Sequence, residues 1–153
     1  MIIKGVAAGL AAISMLASVP AQAAGAMSQA EKLRRLDIML MVTGLRCRTT
    51  AYNFQSEYGK FTTRHLVALN AASREMKAGL AKRHGATGAN RALDKLSVTM
   101  ANEYGNGHPW LGCDQLKKVA SGLAAAKGTA PLVEAADQLL GQGGGGQYGY
   151  ARR

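Results

Sequence analysis

The sequence predicts an all-α fold, a small antiparallel bundle of four to five helices held by one disulfide. Three observations carry that prediction. Apolar residues from Leu33 to Leu140 recur every three or four positions, the repeat of a helix face, and no segment alternates as a half-buried strand does. Turn-forming and capping residues mark the ends of most of these stripes. The chain also has only two cysteines, Cys47 and Cys113, an even count that suits a single staple if the protein is oxidised.

The N-terminal residues read as a secretory signal. Lys4 is the only charge before Glu31, an apolar run follows from Gly5 to Val19, and Pro20-Ala21-Gln22-Ala23 offers the small side chains that signal peptidase accepts. Cleavage is expected after Ala23. The run is too short for the roughly 20 residues that span a bilayer, and nothing after it is apolar for long enough. Residues 24–140 then read as one helical domain in the periplasm or outside the cell, where a disulfide persists.

Ser28-Gln29-Ala30-Glu31 has capping-box spacing, so a first helix should start there. Leu33, Leu36, Ile38, Leu40, Met41 and Leu45 give it a broad apolar face. Gly44 weakens it, and a break is expected between Gly44 and Thr50. Thr49 or Thr50 can cap a second, long helix with the stripe Phe54, Tyr58, Phe61, His65, Leu69, Ala72, Met76 and Leu80. Lys82-Arg83-His84-Gly85 should close it, with cations at the negative end of the helix dipole and a glycine free to take positive φ. Thr87 can cap a third helix carrying Leu93, Leu96, Met100 and Tyr104, and Gly105 stops it. A loop follows to Gly112. The fourth helix should begin near Cys113 or Asp114 and end at Lys127-Gly128, with Leu116, Val119 and Leu123 inside. Pro131 fits the first turn of a short fifth helix. Residues 141–153, with four consecutive glycines, two tyrosines and two arginines, read as a flexible basic tail.

The loop "YGNGHPWLGC" holds the only tryptophan. A Cys47–Cys113 bond would tie it to the first helix break, and Pro109 would stiffen it. Two roles follow: a cover in which Trp110 plugs the bundle end, or a binding lip showing His108 and Trp110 to a ligand. Arg46, Arg48, Lys117 and Lys118 flank the cysteines, so the same bond would gather four cations beside that loop. The chain carries 19 basic and 9 acidic residues, a net charge of +10. Signal cleavage would remove only Lys4 of these. Such a balance favours an anionic envelope component or an acidic protein as partner. The aromatic and basic tail is too short to argue for nucleic acid.

Other chemistries find little footing. His65 on the long stripe, with Glu57 and Tyr58 nearby, could form an acid–base site for a small hydrolase or transferase; the plainer reading is a core histidine bonded to another helix. The three histidines, His65, His84 and His108, are scattered without metal-ligand spacing, so no metal is expected. No Cys-x-x-Cys or Cys-x-x-Cys-His occurs. Met27, Met39, Met41, Met76 and Met100 read as core filling, not as haem ligands, so no cofactor is expected. The leading expectation is therefore a non-catalytic binding or accessory module. An assembly accessory docking the apolar side of its first or fifth helix is a third possibility.

Overall fold

A computed structural model describes residues 27–140; the expected signal segment and the Gly-rich tail lie outside the described residues. These residues form five helices, α1 (Gln29–Cys47), α2 (Gln55–Arg64), α3 (Leu66–Glu103), α4 (Cys113–Ala125) and α5 (Ala130–Leu139), with no strand among them. Ser28 caps α1 as its sequence demands, its hydroxyl accepting from the Glu31 amide at 3.1 Å.

Helix α1 is the hub and packs against all four others. Its buried residues Leu33, Leu36, Met39 and Leu40 meet Phe54 and Phe61 of the α2 region, Leu116, Ala120 and Leu123 of α4, and Leu132 and Ala136 of α5. Burying a ring such as Phe61, which is fully enclosed, contributes about 2–3 kcal/mol. Cross-helix contacts fix the directions. Phe54 sits by Gly44 and Tyr58 by Asp37, so α2 runs antiparallel to α1. Lys117 lies by Glu57 and Leu123 by His65, so α4 runs with α2.

The second helix of the sequence reading differs in two ways. Its start is later, because Thr50 turns back: its hydroxyl donates to the Cys47 carbonyl at 2.8 Å and accepts from the Tyr52 amide at 3.1 Å. Thr50 therefore closes α1, and Asn53 accepts from the Gln55 amide to open α2. The stripe is also broken at His65, which leaves helical geometry (φ −103°, ψ 14°) while its ring reaches Leu123 of α4.

Gly85 is the predicted stop. Its φ of +70° and ψ of 167° are accessible to glycine and strained for other residues. The expected next helix starts at once beyond it, so α3 is two helices meeting at this kink, and Thr87 lies inside the second and not at its cap. The bend is sharp. Glu75 and Leu96 line one hollow of about 670 Å³ with Ala30, yet a straight helix would separate them by about 30 Å. The second half of α3 then runs with α1, since Arg34 bonds Ser97 and Arg46 bonds Gly105.

The first break falls where expected, between Gly44 and Thr50, since α1 ends at Cys47. Gly44 itself lies buried inside the helix, and a Cβ there would stand 3.3 Å from the Phe54 ring. The glycine admits Phe54 to the core. Met41 and Leu45, expected on the apolar face, are 39% and 47% exposed.

Candidate functional site

The site of interest is the end of the bundle where α1 stops and α4 starts. Cys47 and Cys113 are bonded there, with their Cα atoms 5.7 Å apart. The bond holds the loop before α4 against the C-terminal turn of α1. Arg46 adds a second tie, its Nη1 donating to the Gly105 carbonyl at 2.7 Å. Its side chain lies so close to Gly107 (φ +101°) that a Cβ there would come within 3.6 Å of Arg46 Nε. At the loop's far end the Gly112 amide donates to Gln115 Oε1 at 3.0 Å, setting the first turn of α4.

His108 is the third tie. Its Nδ1 accepts from the Leu111 amide at 3.2 Å and, at a longer 3.4 Å, from the Trp110 amide. A nitrogen that accepts carries no proton, so the proton of the neutral ring sits on Nε2, which donates to the Leu139 carbonyl of α5 at 2.9 Å. Burial pushes the His108 pKa down from its ordinary value, and the Leu139 carbonyl opposes that shift. The ring stacks on buried Tyr104 with centroids 6.1 Å apart.

Trp110 is not the plug. It meets His108 edge-on at 4.5 Å but leaves 54% of its surface exposed. His108 and Tyr104 cover the bundle end, and the indole is displayed outside them. Of the four flanking cations, Arg46 holds the loop and Lys117 faces Glu57 at 3.8 Å. Arg48 and Lys118 are exposed. Val42, Leu45, Arg46, Arg48 and Thr49 line an open hollow of about 370 Å³ at this end.

The structure places the acid–base candidates in separate settings. His65 is buried, with Nε2 2.9 Å from the Leu123 carbonyl. Glu57 faces Lys117, and the Tyr58 hydroxyl donates to Asp37 at 2.9 Å. Tyr58 belongs to a polar cluster that the sequence did not reveal. Asp37 also lies 3.7 Å from Arg34, which donates through Nη2 to Ser97 at 3.1 Å. Arg34 Nε is buried without a hydrogen-bond partner. Desolvation raises the pKa of Asp37 and of Tyr58; the Tyr58 bond and Arg34 pull Asp37 the other way. A charged and hydroxylic set joining α1, α2 and α3 had one visible signal, Arg34 and Asp37 interrupting an apolar helix.

Among the described residues, no group of three or more His, Cys, Asp or Glu side chains could hold a metal ion. None of their helices is long and apolar enough to cross a membrane. Comparison with protein-family models, curated proteins and solved structures finds no match.

Proposed function

We propose that the protein is exported and serves the cell envelope as a non-catalytic binding module, holding an anionic partner at its disulfide end. The observation that carries this reading is the display of Trp110. A large aromatic ring stands more than half exposed on a loop held by the Cys47–Cys113 bond, Arg46 and His108. Exposed aromatic anchors on rigid supports bind without a large ordering cost. Arg48 and Lys118 add positive charge nearby, and the signal-like N-terminus and net charge of +10 agree with an anionic envelope setting. The acid–base reading of His65 and Glu57 has less behind it, because each already faces a different partner on α4.

Two charge reversals of equal size test the proposal. Arg48→Glu with Lys118→Glu alters the disulfide end. Lys82→Glu with Arg83→Glu alters the α3 bend, near the opposite end of α1. On a phosphocellulose matrix, the first pair should lower the salt needed for elution well below that of the second. Equal shifts would mean that net charge alone governs binding, and the proposed site would fall.

A further inference from the structure

Beside the cations, the disulfide end exposes a set of large apolar and aromatic side chains, as α3 does elsewhere with Leu66, Val67 and Val98. Only at the disulfide end do they include the tryptophan and stand beside the Arg46 and Arg48 cations. Leu45 (47% exposed) precedes Cys47 by two residues, Tyr52 (51%) follows it by five, and Trp110 (54%) precedes Cys113 by three. Because the two cysteines are bonded, all three residues lie within five positions of that bond along the chain. Between Leu45 and Tyr52 come Arg46, Arg48 and Thr49, which with Val42 line the open hollow. A guanidinium has five N–H donors, and the Gly105 carbonyl takes one from Arg46. The hollow's lining thus combines guanidinium N–H donors and the Thr49 hydroxyl with the apolar side chains of Val42 and Leu45.

Resting on the anionic-partner reading above, we propose that this end docks on an anionic lipid surface, with a phosphate headgroup between Arg46, Arg48 and Thr49. Tryptophan and tyrosine are the side chains that settle at the boundary of headgroup and acyl chain. Surface binding grows with the apolar area inserted and with attraction to anionic lipid. Leu45, Tyr52 and Trp110 supply the first, and Arg46, Arg48 and Lys118 the second. Asp114 and Glu57 lie at the same end, and Glu57 faces Lys117, so the cations remain in excess. The hollow at the α3 bend is a poorer match, since Glu31 and Glu75 stand there beside Lys82 and Arg83.

The test uses soluble protein purified from its host, with vesicles of phosphatidylcholine alone or with a third of phosphatidylglycerol. Trp110 is the only tryptophan, so its emission reports this end directly. Phosphatidylglycerol vesicles should sediment the protein and shift the emission to the blue, and added salt should reverse both. Arg48→Gln should weaken partition about fivefold, the worth of one cation near an anionic surface. Leu45→Ser should weaken it too, whereas Lys82→Gln should leave it nearly unchanged. Equal binding to phosphatidylcholine alone would overturn the proposal, as would an equal blue shift with glycerol phosphate in place of vesicles. If vesicles do nothing while phosphocellulose elution still depends on Arg48 and Lys118, the lipid surface is wrong and the anionic-partner reading stands. If neither responds, both fall.

Discussion

Replacing Cys47 and Cys113 together with alanine should lower stability by roughly 4 kcal/mol at 25 °C. The bond closes a loop between residues 66 positions apart, and removing it returns that closure entropy to the unfolded chain. The native state should change little. Arg46 still holds the Gly105 carbonyl at 2.7 Å, and His108 still bridges the loop to Leu139 at 2.9 Å. A domain of this size has about 5–15 kcal/mol in total, so the loss is a large share of it. At about 4 °C per kcal/mol, the Tm should fall by roughly 15 °C. Urea unfolding followed by far-ultraviolet circular dichroism measures the loss, and Trp110 emission in native buffer reports the loop. Emission should stay the same in the variant while the midpoint drops. A loss below about 1 kcal/mol, or a changed native spectrum, would refute the division between an unfolded-state effect and a separately held loop.

His108 should make stability depend on pH. Its folded pKa lies below the ordinary 6.5, so as pH falls the unfolded chain binds the proton first. The contribution is complete above about 6.5 and is lost as pH drops through the lower folded value; in His108→Gln, the slope of the urea midpoint across this window should flatten. Tyr58→Phe removes the hydroxyl that donates to partly buried Asp37, and should cost about 1–3 kcal/mol in urea unfolding by leaving that carboxylate short of a donor. Gly79→Ala, where a Cβ meets nothing within 4 Å, should raise stability by about 0.5–1 kcal/mol. Gly44→Ala should lose that gain, because its Cβ would press on the buried Phe54 ring at 3.3 Å, and overpacking costs about 1–3 kcal/mol. Thermal melts of the two variants side by side decide the comparison.

What the sequence made legible was local. The Ser28 cap, the positive φ of Gly85 and the Pro131 start depend on a few neighbouring residues, and all three appear where those residues stand. The Cys47–Cys113 pairing followed from there being only two cysteines. The misread features depend on partners distant in the chain. The stripe from Phe54 to Leu80 is continuous, yet His65 breaks it while its ring meets a carbonyl of α4, 58 positions away. Gly44 read only as a weak point of its helix, because its value lies in the ring it admits, Phe54, on another element. Trp110 looked like a plug because of its size. The loop instead turns His108 inward, where two amides and a carbonyl can use both ring nitrogens. The Arg34–Asp37–Tyr58–Ser97 cluster joins three helices, and no spacing within one helix could announce it.

The central claim is that the disulfide end is the binding surface. Its most direct test is a ¹H–¹⁵N correlation spectrum of the labelled protein titrated with small anionic bicelles. The account predicts that shifts and broadening concentrate in residues 45–52 and 108–118, with the Trp110 indole N–H among the first to move. Changes confined to Lys82, Arg83 and the α3 bend, with the disulfide end silent, would contradict it.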